Sequence, residues 1–285
     1  MGEKKFIENM TFQNERALFA LHDAFVAGCR FAGDEDGESP LKETRNIEVH
    51  DCIFRLRYPL WHSENCKISR IQMSDTCRAP FWYCRNLEIA GSTIGGVKAL
   101  RECENVIIDD TDIYSAEFGW MLRNAEISEI RIQSEYAFMR GENINVRDMD
   151  LDGRFSFHYA KNCLIDDSRL DTSDAFWHSD GITIKNSTIN GEFFGWYSHG
   201  ITLINCKIVG TQPLCYARDV QLIDCELVGA YGAFEHSTVE ADVTGKIESV
   251  YNPMGGHITA DEIGKVITDE HARGFADIKT RRSQW

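Results

Sequence analysis

The sequence predicts an all-β fold, a right-handed parallel β-helix (solenoid) with about 19 residues per coil and three short parallel sheets. Three observations predict it. An asparagine recurs as Asn46, Asn65, Asn86, Asn105, Asn124, Asn143 and Asn162, then gives way to Gly181, Gly200 and Asp219. Every step is the same except that from Asn65 to Asn86, which is longer by two; a fixed period near 20 marks a solenoid. Apolar residues keep step with the asparagine in clean columns, and the columns are unequally spaced.

The asparagine column is expected to be a sharp turn. Asn, Gly and Asp share a tolerance of left-handed backbone that other residues avoid. One and three places after it stand pairs such as Ile47 and Val49, Val106 and Ile108, Ile182 and Ile184. Such alternation, rich in β-branched residues, is the inward face of a short strand. Eight places after it stand Phe54, Ile94, Ile113, Leu170 and Ile208, the second strand. Five places before it stand Leu60, Phe81, Leu100, Phe138, Phe157, Phe176 and Leu214, the third. A left-handed hexapeptide helix would space its inward residues evenly by six. The gaps here are 5, 6 and 8, which favours the right-handed form.

The pattern fills residues 1–268 as one domain, with coils 1–22 and 238–268 as terminal caps and 269–285 as a tail. A cap must blunt an open sheet edge. The extra residues around Gly33–Glu38 read as a projecting acidic loop.

Composition narrows the function. The chain has 285 residues and a formal charge of −15. This disfavours a nucleic-acid partner and an anionic membrane surface. No run of 18 apolar residues offers a membrane span. Ten cysteines, with no apolar signal core in Met1–Asn14, predict reduced thiols and a cytoplasmic location. Stacked pairs such as Cys206 and Cys225 are expected to be small buried spacers. No zinc-ligand spacing, P-loop, GxSxG or HExxH is present, and no cofactor or metal is expected. Carboxylates five places after the asparagine, such as Asp110 and Asp167, could offer oxygens to Ca²⁺, but Asp and Asn are also ordinary turn formers.

Two columns expected to face outward carry the candidate chemistry. Four places before the asparagine stand Trp61, Trp82, Arg101, Trp120, Met139, His158, Trp177, Trp196, Cys215 and Phe234. Indole faces match the apolar faces of sugar rings, so Trp61, Trp82, Trp120, Trp177 and Trp196 are candidate substrate-binding residues. Arg101, Arg140 and Tyr197 join them. The same stripe is met if the aromatics stack on one another beneath loops or a second subunit, with Arg101 a cation–π spacer. One place before the asparagine, base and acid alternate from Arg45 to Asp180, followed by His199 and Arg218. Alternating charges stacked one coil apart hold register. Asp180 and His199 stand one coil apart and, with His178 and His158, are the candidate acid–base residues. A solvated edge of polar turn residues accounts for them more simply.

Arg16–Phe19, Glu38–Glu43, Tyr58–Trp61, Ala175–Trp177, Leu214–Tyr216 and Ala233–Val239 give the chain a resemblance to a bacterial family, domain of unknown function 3737. The resemblance implies a pectate-lyase-like, single-stranded right-handed β-helix and brings no catalytic residues. The reading of the sequence is therefore carbohydrate binding on the aromatic flank, extending to glycoside hydrolase-type or isomerase activity if the histidines and Asp180 converge there. The competing class is a non-catalytic scaffold, self-associating or binding a protein through that flank or a solenoid end.

Overall fold

The structure, a computed structural model, describes residues 4–33 and 37–281. The expected acidic loop falls largely on 34–36, outside the described residues, as do the outermost residues of the expected cap and tail. The chain forms two compact units, one up to Asn145 and one from Val146 onward. Both are all-β parallel solenoids in which each strand pairs with the strand one coil on, Glu104 with Arg123 in the first and Lys161 with Asp180 in the second. The only helical piece among the described residues is a short turn, Asp75–Cys77.

In the first unit the strands Lys5–Glu8, His22–Ala27, Arg45–His50, Glu64–Ser69, Arg85–Gly95, Glu104–Tyr114 and Arg123–Ser134 stack in parallel. The pairing runs Lys5–Ala24–Ile47–Cys66–Leu87–Val106–Ala125, the column one place after the asparagine. All are buried except Lys5, which is exposed on the first coil. A charge at an otherwise inward position is one way to blunt an open edge. Two-residue strands at Phe12, Phe31, Phe54 and Met73 form the second face. Their phenyl rings stack inside, Phe12 on Phe31 at 5.2 Å and Phe31 on Phe54 at 4.6 Å.

In the second unit Lys161–Asp166, Asp180–Lys185, Thr202–Ile204 and Val220–Val228 stack likewise. Arg169–Ser173, Thr188–Asn190 and Lys207–Val209 form the second face. Longer strands Thr238–Tyr251 and Gly255–Ile267 follow. The segment expected as a tail adds a strand, Asp277–Thr280, paired from His257 to Ala260. Asp269 anchors it: Tyr251 and Asn252 both donate to its carboxylate.

The columns expected inward are buried throughout, including Phe81, Leu100, Phe138, Phe157, Phe176 and Leu214. Each fully buried phenylalanine is worth about 1.5–3 kcal/mol relative to exposure. The asparagine column has left-handed backbone, with φ +57° at Asn105 and +51° at Asn162. In the first unit its side chains also bond to each other, Asn65 donating to Asn46, Asn86 to Asn65 and Asn105 to Asn86. Glycine takes the column over at Gly181, where a Cβ would sit 2.9 Å from the Asn162 Oδ1.

Left-handed backbone also appears where propensity argues against it. Phe81, Phe138, Phe157 and Phe176 have φ of +57° to +60°, and Tyr83, Tyr159, His178, Tyr197 and Tyr216 have +55° to +59°. Bulky residues there carry local strain. Its recurrence in coil after coil makes it a device of the fold, turning the chain twice around each phenylalanine knob.

One register differs from the expected one. Phe234, expected in the outward column with Cys215, is fully buried with φ +64°, and Cys215 is buried too. The coil leading into Thr238 has lost one residue at the turn, so the chain before Thr238 runs one place out of step, with Ala217 bonded to Ser237. Phe234 therefore takes the inward place expected for Ala233, and His236 moves into the ring column.

Candidate functional site

The tryptophan column is half-buried, and a single hydrogen bond explains how. Each indole Nε1–H donates at 2.7 Å to a backbone carbonyl on the next coil. The pairs are Trp61 to Ala79, Trp82 to Lys98, Trp120 to Tyr136, Trp177 to Phe193 and Trp196 to Gln212. The rings then lie flat along the solenoid and cover one another. In the first unit Lys42 sits over Trp61, Trp61 stacks on Trp82 at 5.1 Å and 2°, and Arg101 lies between Trp82 and Trp120 at 5.2 and 5.5 Å. In the second, His158 stacks on Trp177 and Trp177 on Trp196, at 5.7 and 5.4 Å. A sugar needs a free indole face. Neighbouring rings or cations hold both faces of Trp61, Trp82 and Trp177, and one face each of Trp120 and Trp196.

His158 belongs to the same device. Its Nε2–H donates to the Asp174 carbonyl at 2.5 Å, as the indoles donate to theirs. Burial holds its pKa below the ordinary histidine value, which keeps the ring neutral. It is a tryptophan substitute in the spine, turned away from the outer edge.

The adjacent column, one place nearer the asparagine, faces solvent. In the second unit it stacks Tyr159 on His178 at 5.0 Å, His178 on Tyr197 at 5.1 Å and Tyr197 on Tyr216 at 5.0 Å, all within 18° of parallel. Tyr159 and Tyr197 remain 45% and 46% exposed. In the first unit His62 stacks on Tyr83, and Glu102, Met121 and Arg140 follow in sequence on that column. Arg140 is exposed on that column of the first unit.

Beyond one inward residue (Ala160, Ser179, Ser198 or Ala217, all buried) runs a charged rail: Lys161, Asp180, His199 and Arg218. Here Asp180 and His199 meet. Nδ1 of His199 donates to Asp180 Oδ1 at 2.8 Å, and Nε2 to Asp219 Oδ2 at 2.9 Å. The hydrogen bond to Asp180, then that to Asp219, hold the His199 pKa above its ordinary value against desolvation. With both nitrogens donating, the ring is an imidazolium bracing three coils. Of the four acid–base candidates, the structure bonds Asp180 to His199, places His178 in the ring stack and turns His158 to a carbonyl.

Three neighbours escaped the sequence reading. Asp219 stands in the turn column itself. Glu235 accepts the Tyr216 hydroxyl at 3.0 Å; burial, and then this bond, raise the Tyr216 pKa to about 12. His236 continues the ring column, 5.5 Å from Tyr216 and tilted by 44°. The missing turn residue before Thr238 was the signal that would have aligned them. Among the described residues no three His, Cys, Asp or Glu side chains converge to hold a metal ion. All ten cysteines are buried thiols outside any disulfide. No described helix is long and apolar enough to cross a membrane.

Coils of this kind define a parallel β-solenoid protein. The chain belongs to the family described as protein of unknown function (DUF3737), which it matches over residues 5–280. No curated protein matches it. Among solved structures it is similar to the A-module of the mannuronan C-5 epimerase AlgE4 of Azotobacter vinelandii, with 9% identity, a TM-score of 0.40, and 98% of this chain and 91% of that one covered. It is also similar to PfbA, a surface adhesin of Streptococcus pneumoniae, with 9% identity, a TM-score of 0.38, and 90% and 82% covered. The family 28 exopolygalacturonase of Yersinia enterocolitica is similar at 8% identity and a TM-score of 0.33, with 97% and 72% covered.

Proposed function

We propose that the second unit binds a carbohydrate chain along the Tyr159–His178–Tyr197–Tyr216 stack and its charged rail. The observation that carries this reading is the repeat. Polar ring edges recur every 5.0–5.1 Å beside Lys161, Asp180, His199 and Arg218. A glycan is a ligand whose hydroxyls recur along an extended chain with a step of the same order as the coil rise of about 4.8 Å. Phenol, imidazole and carboxylate groups are the hydrogen-bond partners such hydroxyls need. Recognition is by hydrogen bonds to ring edges and rail, with the tryptophans as a rigid spine behind.

The proposal stops at binding. His199 already donates both of its N–H groups, so proton transfer to a ligand would first require breaking an ion pair. The test is a saccharide panel read by thermal shift and calorimetry, repeated on His178→Asn and Tyr197→Asn. Asparagine suits the left-handed backbone at both positions, so the variants are expected to fold. Saccharide binding lost in both variants, at unchanged melting temperature, supports the reading. A panel with no response, alongside a change in oligomeric state in the same variants, supports a scaffold or self-association surface instead.

A further inference from the structure

We propose that this rail is a ladder of subsites for an uncharged glycan of about four sugar units, closed at one end by Glu235 and His236. The inference rests on the carbohydrate reading and adds length and charge class to it.

Length follows from where the stack stops. Rings stand in four successive coils at Tyr159, His178, Tyr197 and Tyr216, spaced 5.0–5.1 Å and near-parallel. On the next coil the ring is His236, which is buried and tilted by 44°. Beside it Glu235 has already taken the Tyr216 hydroxyl. Arg218 closes the same end, bonding the His236 carbonyl and the Met254 sulfur. One period before Tyr159 the sequence has Arg140 in place of a ring. A ligand in step with the coils therefore meets about four equivalent positions, at one sugar per coil rise of about 4.8 Å.

Charge class follows from the rail's balance. The rail carries Lys161, Asp180, His199 and Arg218, with Asp219 bonded to His199, while Glu235 lies at its end, bonded to Tyr216. The central cation is matched at both ring nitrogens. A polyuronate would have to displace Asp180 or Asp219 to reach it, on a chain whose net charge is −15. A hydroxyl displaces neither: it donates to a spare carboxylate lone pair or accepts from a phenol.

The experiment is isothermal calorimetry with uncharged β-linked gluco- and manno-oligosaccharides of about two to six units, and oligogalacturonides of the same lengths. Affinity for the uncharged series is expected to rise by about three- to tenfold per unit, the effect of one or two net hydrogen bonds each, and to level off near four. Oligogalacturonides are expected to bind at least tenfold more weakly. Tyr159→Asn, at an exposed left-handed position, is expected to move the plateau one unit shorter. Equal affinity for two and four units, an unmoved plateau in the variant, or preference for the uronides overturns the ladder while leaving carbohydrate binding intact. No binding by any saccharide overturns both.

Discussion

Trp177 donates its indole N–H to the backbone carbonyl of Phe193, 2.7 Å away on the next coil. The same bond recurs at four other tryptophans and, through an imidazole, at His158. It adds a side-chain tie to the backbone bonds that join the same coils there, such as that from the Tyr159 N–H to the Trp177 carbonyl. Trp177→Phe keeps the ring and removes the donor, leaving a half-buried carbonyl unsatisfied. The expected cost is about 1–3 kcal/mol, a fall in melting temperature of roughly 2–10 °C for a chain of this size. Saccharide affinity, where present, should not change. A Trp177→Phe protein of native stability would mean that the bond is made equally well by water.

The first unit's cation–indole column makes a separate prediction. Arg101 fills the space between Trp82 and Trp120. Arg101→Leu keeps much of the volume and removes the charge. Two partly desolvated cation–π contacts are worth about 1–3 kcal/mol together, so a loss of that order is expected. The tryptophan emission of the variant should also shift as the two indoles change environment. Unchanged emission and stability would make Arg101 a passive filler.

Much of the fold was legible because a solenoid repeats its physics. Counting from one asparagine separated the buried columns, and Phe81, Phe157 and Phe176 lie where the count placed them. The left-handed turn at Asn105 was legible from residue type. The aromatic left-handed positions were not, since a tyrosine or phenylalanine at positive φ runs against its own propensity and only the repeated turn imposes it. Ring orientation was also hidden. A column of tryptophans shows which residues align along the axis, but the N–H bond to the next coil decides whether faces or edges meet solvent. The shift at Phe234 and His236 escaped a fixed period because it arises from one missing turn residue. Asp180 and His199 were legible as neighbours; the second carboxylate, Asp219, was not, because it occupies the column read as backbone turn.

The asparagine column combines a dihedral and a hydrogen-bond chain, and these are separable. Asn105 has φ +57°, donates to Asn86 at 3.0 Å and accepts from Asn124 at 3.2 Å. Asn105→Gly keeps the backbone and loses both bonds, for an expected cost of about 1–2 kcal/mol at this exposed site. Asn105→Ala loses the bonds and forces a Cβ into left-handed backbone, costing about 1 kcal/mol more. Denaturant titration of the two variants should show that order. Equal losses would leave the side-chain bonds as the whole effect, and a harmless glycine would leave only the dihedral.

His199 and His158 predict opposite pH dependences. The native His199 pKa is raised, first by Asp180. Its contribution is therefore complete below the unfolded value of about 6.5 and is lost as pH rises through the native value. At an exposed site it should be no more than about 1 kcal/mol. The native His158 pKa is lowered by burial. Its neutral ring is favoured above about 6.5, and that advantage is lost as pH falls through the native value. Melting temperatures across pH should show His199→Asn flattening the alkaline side alone. His158→Trp, which restores the residue found elsewhere in this column and keeps an N–H for the Asp174 carbonyl, should flatten the acid side. A wild-type acid limb that survives His158→Trp would trace acid sensitivity to carboxylates such as Asp269, whose pKa is held at about 2 chiefly by the Tyr251 hydroxyl. Asp269→Asn would then remove that limb.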